Sequence, residues 1–168
     1  YHRSNRSGNK AGALAEGLLH VKGEFIAIFD ADFVPRPDYL KSTIPYFCSH
    51  KVGMVQTRWG HLNALNNPLT RAQAIALDGH LVVEQAARSR NCLLFNFNGS
   101  SGVWRKECII SSGGWQTDTI AEDLDLSYRA QMSGWEFRYL SDVISPAEIP
   151  VGIHAFKRQQ FRWVKGSV

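Results

Sequence analysis

Hydrophobic and polar residues follow two periods along the chain, and these periods divide it into predicted helices and strands. Apolar positions between Lys10 and Val21 recur every three or four residues, which predicts a helix with one face toward a core. Phe25 to Phe29 is a short, unbroken apolar run with aromatic and β-branched members, which predicts a strand buried on both faces. Gly23 lies between the two and predicts the C-cap of the helix. A helix, a short turn and a strand make up half of a βαβ unit.

The same two periods continue to the end of the sequence. Thr119 and Glu122 have the spacing of a capping box at the start of one helix. The apolar face predicted for another helix, 69–90, includes Ala72, Ile75, Leu77, Val82, Val83 and Ala86. In all, the helices predicted after Val21 are 38–49, 69–90, 105–110, 119–134 and 155–164, and the strands predicted after Phe29 are 52–57 and 135–140. Helices that alternate with strands predict an α/β fold with a mostly parallel sheet flanked by helices.

Composition and charge narrow the class of protein. A chain of 168 residues, 44% of them hydrophobic, is long enough for one domain with its own core. The net charge is +4, and the basic residues are most concentrated in 1–10 and 157–165 without a dense run, so we expect no nucleic acid partner. Phosphorylated small molecules or an anionic membrane surface suit such patches. The three cysteines are odd in number and lack a C-x-x-C spacing, which argues against a disulfide framework or a structural zinc site.

Two carboxylates follow the predicted strand 25–29. Asp30 and Asp32 stand where the strand ends, and Pro35 and Pro37 prevent its continuation. Ligands of open α/β sheets bind at the carboxyl ends of strands, so these acids are placed to hold a cation. Paired oxygen ligands suit Mg²⁺ or Mn²⁺, which complete their shells with water and substrate phosphates. The alternative is that Asp30 caps a turn and Asp32 is solvated.

The last predicted helix carries a second candidate site. Gln159, Arg162 and Trp163 are related as i, i+3 and i+4 and share one helical face. A guanidinium forks onto phosphate oxygens, and an indole covers the apolar face of a sugar ring. This face therefore suits a ligand that contains both phosphate and sugar.

Three other sets of residues have both a functional and a structural interpretation. Glu122 and Asp123 lie in the first turn of a predicted helix, where the helix dipole alone would favour them. The small residues of 95–104 allow close approach to a ligand, or form a turn between strands. Asp78, His80 and Glu84 are either a solvated helix flank or substrate-facing residues.

Four separated motifs occur in a recognisable order: DAD at 30–32, FNGSSGVWR at 97–105, AED at 121–123 and QQFRW at 159–163. Together they resemble the signature of the processive family 2 glycosyltransferases, the group that contains cellulose, chitin and hyaluronan synthases. The segments VQTRWGHLN at 55–63 and EDLDLSYRAQMSGW at 122–135 are especially similar to cellulose synthase-like glucomannan mannosyltransferases and glucan synthases. The resemblance covers essentially all of the chain, and four motifs in order are far more specific than any one of them.

The resemblance implies a donor site that binds a nucleotide sugar. Asp30 and Asp32 match the D-x-D motif that meets the nucleotide sugar and its Mg²⁺ or Mn²⁺, with Asp32 the better candidate for direct coordination. Gln159 and Arg162 match the residues that attend the pyrophosphate, and Lys10 matches a lysine near the nucleotide.

The resemblance also implies an acceptor site and a catalytic base. Asp123 matches the general base, with Glu122 as its neighbour on the acceptor side, and Trp163 matches the residue that stacks near the acceptor sugar. The segment beside the acceptor corresponds to Phe97, Asn98 and Gly99. Many cellulose synthases carry Cys where this chain has Asn98, so the acceptor contact at that position departs from the pattern.

The activity that the resemblance implies is inverting transfer of a hexose from UDP-glucose or GDP-mannose to the end of a growing β-glycan. Residues 1–168 are then one catalytic domain of GT-A type, a fragment that lacks the first nucleotide-binding strand and the flanking membrane helices. The parent protein is expected at a membrane, with this domain on the cytoplasmic face. The alternatives are a non-processive family 2 transferase that adds one sugar to a lipid or small acceptor, and a non-catalytic domain that binds nucleotide sugar or polysaccharide.

Overall fold

Helices and strands alternate along the computed structural model, which describes residues 2–166. Short 3-10 and π-helical turns lie at Ile44–Phe47 and Gly79–Glu84. The longest described helix has 14 residues, and no helix within 2–166 is both long and apolar enough to cross a membrane. In chain order the other elements are α1 (Asn9–His20), β1 (Phe25–Ile28), α2 (Tyr39–Thr43), β2 (Val52–His61), α3 (Pro68–Asp78), α4 (Gln85–Arg90), β3 (Gly102–Arg105), α5 (Lys106–Ser111), α6 (Glu122–Met132), β4 (Glu136–Ala147) and α7 (Ile153–Gly166).

The sheet has the strand order β1-β3-β2-β4. Strand β3 pairs antiparallel with both β1 and β2, and β2 pairs parallel with β4. Three of the four strands therefore run in one direction, as a mostly parallel sheet requires, although only β2 and β4 are parallel neighbours. Gly102, at the start of β3, lies between Ile28 and Gln56. The carboxyl end of β1 and the amino end of β3 consequently lie level with the middle of β2, which continues to His61. This end of β1 is the carboxyl edge of the sheet.

Strand β1 is less enclosed than its sequence predicts. Ile28 is buried, but Phe25 and Ile26 are only half-buried and Ala27 is exposed. Within the described residues β1 pairs with β3 alone and forms the end of the sheet. The prediction of a strand buried on both faces is therefore wrong here, because an end strand has a neighbour on one side only.

The core lies on both faces of the sheet. Successive residues of a strand point to opposite faces, so Met54 and Trp104 join one cluster while Val55 and Val103 join the other. The first cluster packs against residues of α1, α5 and α6: Ala11, Cys108, Ile109, Leu126 and Ala130. The second packs against Tyr39 and Phe47, from α2 and the 3-10 turn. The sheet is therefore held between two helical layers that leave its carboxyl edge for the site.

Two helix ends differ from their predictions. Helix α1 ends at His20 with Val21 as the extended C-cap, so Gly23 is not the cap. Helix α6 begins at Glu122 without a side-chain cap, and the Thr119 hydroxyl accepts instead from the Ala121 amide at 3.2 Å. The predicted capping box is therefore wrong, because Glu122 stands at the first position of the helix and not the third.

The predicted helix 69–90 is present as α3, the π-helical turn and α4 in succession, but its buried face is not the predicted one. Ile75 and Val83 are 74% and 66% exposed, and Ala72 and Val82 are also exposed, whereas Ala86 is buried. A π-helical turn has more residues per turn than an α-helix, so it shifts the phase of the face that follows it. Inward-facing positions consequently recur every four residues, at Leu77, Leu81, Gln85 and Ser89.

Candidate active site

Lys10 joins three separate parts of the chain at the carboxyl edge of the sheet. Its ammonium group donates to Asp30 Oδ1 at 2.6 Å and to the Gly99 carbonyl at 2.7 Å. The Asp30 amide in turn donates to Ser100 Oγ at 2.8 Å. Helix α1, the end of β1 and the segment before β3 are thus held together by one lysine. This contact brings together Lys10, Asp30 and Gly99, three of the residues that were predicted to lie at the site.

Asp123 lies against the same glycine. A Cβ built on Gly99 would lie 2.8 Å from Asp123 Oδ2 and 3.4 Å from Lys10 Nζ. The backbone of Gly99 also has a φ of +77°, which residues other than glycine rarely adopt. Gly99 is required here for both reasons, and its lack of a side chain lets the Asp123 carboxylate and the Lys10 ammonium approach the same peptide.

Burial changes the proton affinity of both acids at the start of α6. It raises the pKa of Asp123, and the charge of Asp30 adds to this, while the Leu124 amide, which donates to Asp123 Oδ1 at 2.9 Å, and the charge of Lys10 act in the opposite direction. Burial also raises the pKa of Glu122, and the neighbouring Asp123 carboxylate raises it further. An aspartate whose pKa is raised above its usual range is a stronger base than an exposed one.

Buried amide side chains hold the segment before β3. Gln56 is fully buried, and its Nε2 donates to the carbonyls of Thr57, Ser100 and Ser101 at 2.8 to 3.1 Å. Its Oε1 accepts from the Asn98 amide at 3.1 Å. Sequence reasoning missed this role, although a glutamine inside the apolar run of strand β2 was the available signal, since a buried amide needs hydrogen-bond partners.

Phe97 and Asn98, which were predicted to lie beside the acceptor, make their contacts with other residues of the protein. The Phe97 ring is 1% exposed and packs edge-on against Trp104 at 5.7 Å between ring centroids. It cannot contact a sugar from inside the core, so its predicted acceptor contact is wrong. The side-chain amide of Asn98 forms a reciprocal pair with the fully buried Gln85, at 2.8 and 3.1 Å, which engages both of its polar atoms.

The remaining predicted residues lie in an exposed turn and on the exposed helix α7. Asp32 is exposed in the turn that follows β1. Gln159, Arg162 and Trp163 lie on α7, which has no buried residue in its described part, and Trp163 is 37% exposed. The end of α7 packs beside the start of α6, since a Cβ on Gly166 would lie 3.2 Å from Ala121 Cβ. The turn that carries Trp163 therefore ends next to the segment that leads into Glu122.

Asp78, His80 and Glu84 pair along the exposed side of their helix. His61 Nε2 lies 3.2 Å from Asp78 Oδ1, and His80 Nδ1 lies 2.9 Å from Glu84 Oε2. The hydrogen bond from His80 lowers the pKa of Glu84 despite the opposing effect of partial burial. These contacts favour the solvated-flank interpretation over the substrate-facing one.

A family comparison decides which kind of protein carries this arrangement. Residues 2–166 match the family described as glycosyltransferase like family 2. The chain belongs to this family. The match includes all four motifs and the whole of the described structure.

Curated relatives are almost half identical to this chain over the region that matches it. Glucomannan 4-beta-mannosyltransferase 1 of Oryza sativa subsp. japonica is 46% identical over 98% of the chain, and the enzyme of that name from Cyamopsis tetragonoloba is 47% identical. In both comparisons the match covers 32% of the relative, so the chain spans about a third of the length of these proteins.

Solved structures support the fold. Mannosyltransferase PcManGT from Pyrobaculum calidifontis, in complex with GDP-Man and Mn²⁺, superposes with a TM-score of 0.68 at 23% identity and covers 98% of this chain and 43% of its own. Mannosyl-3-phosphoglycerate synthase from Rubrobacter xylanophilus gives a TM-score of 0.50 at 17% identity, covering 94% of this chain and 49% of its own. The GT-A type α/β fold that the motifs implied is thus confirmed.

Asp30 and Asp32 are the candidate ligands for a divalent ion. Within residues 2–166 no three His, Cys, Asp or Glu side chains come close enough to enclose a metal. Asp30 and the exposed Asp32 supply carboxylate oxygens at one turn. Mg²⁺ commonly binds through one or two carboxylates plus substrate phosphates, so this donor set fits such an ion.

Proposed function

We propose that the chain is the catalytic domain of an inverting hexosyltransferase that extends a β-glycan from a nucleotide sugar. The observation that carries the proposal is the convergence of Lys10, Asp30 and Asp123 around Gly99, at the carboxyl edge of the sheet in a family 2 chain. Ligands of α/β sheets bind at such an edge.

Asp123 is the proposed general base. Attack of an acceptor hydroxyl on the anomeric carbon forms a glycosidic bond, breaks the bond to the diphosphate and releases one proton. The Asp123 carboxylate accepts that proton, and burial, by raising its pKa, makes it a better acceptor. One displacement inverts the anomeric centre, so no covalent enzyme nucleophile is required.

Cationic groups around Asp30 are proposed to stabilise the leaving diphosphate. Lys10 lies 2.6 Å from Asp30 Oδ1 and has an ammonium group that can also donate to a phosphate oxygen. Arg162 is proposed as a second phosphate ligand because a guanidinium forms paired hydrogen bonds with phosphate. Mg²⁺ or Mn²⁺, held by Asp30 and Asp32, would neutralise charge on the departing diphosphate.

The curated relatives suggest the substrates. Because they are named glucomannan 4-beta-mannosyltransferases, GDP-mannose is the first donor to test, with UDP-glucose as the second. The proposed acceptor is the end of a β-1,4-linked mannan or glucomannan chain, with Trp163 stacking on one of its sugars. The proposal includes the expectation from the resemblance that the complete protein acts at a membrane.

A donor panel tests the proposal directly. The complete protein would be assayed with GDP-mannose, UDP-glucose and other nucleotide sugars, with Mg²⁺ or Mn²⁺ and after chelation. We expect metal-dependent formation of a β-linked polymer from one or both of the first two donors. Binding of nucleotide sugar without any transfer would contradict the proposal in favour of a binding domain, and addition of only one sugar would identify a non-processive transferase.

A further inference from the structure

The π-helical turn Gly79–Glu84 ends directly before a glutamine that is completely buried. Gln85 Nε2 donates to Asn98 Oδ1 at 2.8 Å and to the Asn96 carbonyl at 3.1 Å, and Gln85 Oε1 accepts from Asn98 Nδ2 at 3.1 Å. All of these bonds go to the segment that precedes β3. Without the extra residue of the π-helical turn, the phase of the helix would point position 85 elsewhere.

Gln56 holds the same residue, Asn98, from strand β2. The Asn98 amide donates to Gln56 Oε1 at 3.1 Å, so residue 98 is bound by its side chain to α4 and by its backbone to β2. The next residue is Gly99, whose carbonyl accepts from Lys10 and whose missing side chain admits Asp123. Two buried side-chain amides therefore hold the residues on either side of Gly99, which lies against both the proposed base and the proposed donor lysine.

We propose that Gln85 is a positioning residue for sugar transfer, which acts through Asn98 to place the Gly99 peptide between Lys10 and Asp123. This inference rests on the proposed function. Gln85 does not contact substrate in this proposal. It keeps the Gly99 carbonyl directed at Lys10, so that the ammonium is oriented for the diphosphate before the donor arrives. A displacement of about 1 Å at such a site is enough to reduce the rate by up to about a hundredfold.

A double-mutant cycle in the complete protein tests the pathway through Asn98. We expect Gln85→Met to lower kcat/KM for the donor by about tenfold, because the amide pair is lost while the side-chain volume is kept. In an Asn98→Leu background we expect Gln85→Met to have less than about a twofold further effect. An equal loss from Gln85→Met in both backgrounds would overturn the proposal.

Gln73→Met is the matched control for a merely structural effect. Gln73 is a buried glutamine on α3 whose Nε2 donates to the Pro150 carbonyl at 2.8 Å, away from the Gly99 segment. We expect Gln73→Met and Gln85→Met to reduce the free energy of unfolding to a similar extent, with kcat/KM changed only by the second. If both variants lose activity in proportion to stability, Gln85 has no positioning role.

Hydrogen exchange gives a readout that does not depend on activity. We expect Gln85→Met to increase amide exchange in residues 96–101 of the complete protein and to leave exchange in α5 unchanged. Unchanged exchange in 96–101 would overturn the positioning role while leaving the proposed function in place. A wild-type protein that transfers no hexose would refute the proposed function instead. In that case faster exchange in Gln85→Met would still show that Gln85 holds the Gly99 segment in position.

Discussion

The Asp123 carboxylate lies in the space that a side chain at position 99 would need, with its Oδ2 2.8 Å from the position of a Cβ on Gly99. The two residues are far apart in the sequence, and the start of α6 and the segment before β3 bring them together. Lys10 donates to the carbonyl of the same glycine. The proposed base and the proposed donor ligand therefore both lie against Gly99. Changes at this peptide should therefore affect both functions together.

We predict that Gly99→Ala impairs both folding and transfer. A residue with a side chain costs about 1–2 kcal/mol at a positive φ, and the added methyl group would also displace Asp123. We expect at least about a tenfold loss of kcat/KM, measured by donor turnover in the complete protein. Gly17→Ala is the control, because a Cβ at that position of α1 would meet no atom within 4 Å beyond its chain neighbours and the adjoining helix backbone, and alanine should stabilise the helix by about 0.5–1 kcal/mol. Full activity of Gly99→Ala would mean that Asp123 does not act at this position.

We predict that Asp123→Asn abolishes transfer and leaves donor binding nearly intact. Loss of a general base should reduce kcat by about 10² to 10⁴-fold, whereas the diphosphate is held by other groups. Calorimetric titration of the complete protein with the nucleoside diphosphate and Mn²⁺ measures the second quantity. A large loss of diphosphate affinity would identify Asp123 as a metal ligand and not a base.

The same substitution should change the pH dependence of stability. The pKa of Asp123 is raised in the folded state, so its burial favours folding while the carboxyl is protonated, and this contribution is lost as the pH rises through the folded pKa. Asp123→Asn is neutral at every pH and should raise the free energy of unfolding near neutral pH, with the gain disappearing below the unfolded pKa. Denaturant unfolding at a series of pH values provides the measurement, and a stability loss at neutral pH would contradict the burial argument.

We predict that Lys10→Ala weakens donor binding far more than it weakens folding. The ion pair with Asp30 is more than a third exposed on both sides, so it should contribute at most about 1 kcal/mol to stability. A charged hydrogen bond to phosphate is worth about 1.5–3 kcal/mol, which corresponds to about tenfold or more in the dissociation constant of the nucleoside diphosphate. The exposed Lys51→Ala is the control and should change neither quantity. Equal diphosphate affinity of Lys10→Ala and wild type would remove Lys10 from the donor site.

We predict that Arg105→Leu destabilises the fold without a direct effect on substrate binding. The buried Arg105 guanidinium donates to Glu24 at 2.6 Å and to the carbonyls of Val52 and Phe47, and lies over the rings of Phe25 and Phe47. Its loss should lower the free energy of unfolding by about 3 kcal/mol. The exposed pair of Arg36 with Asp38 offers the control, since Arg36→Ala should cost less than about 1 kcal/mol. Similar midpoints for the two variants would show that the buried network contributes little.

Local sequence pattern predicted most of the elements, but it missed strand β3 and the surroundings of several side chains. The runs that predict α1, β1, β2 and α7 have the right positions, because periodicity reports which residues can share a face. Val83 was assigned to the wrong face because it lies in a π-helical turn, which changes the phase of the helix and has no signature in the residue pattern. Ile75 precedes this turn, and α3 buries Thr70, Gln73 and Ala74 in its place. Phe97 was assigned to the acceptor, because an aromatic residue in a motif does not reveal whether its ring points to the core or to the ligand.

The sequence by itself determined the family, most of the helices, three of the four strands, and the acids at the end of β1 and the start of α6, because these depend on residue type and spacing. Only the tertiary structure decided that Lys10, Asp30 and Asp123 meet at Gly99, that Gln56 and Gln85 hold the segment between them, and that Phe97 lies in the core. The physical reason is that these contacts join residues distant in the chain, and their geometry depends on how β3 inserts between β1 and β2.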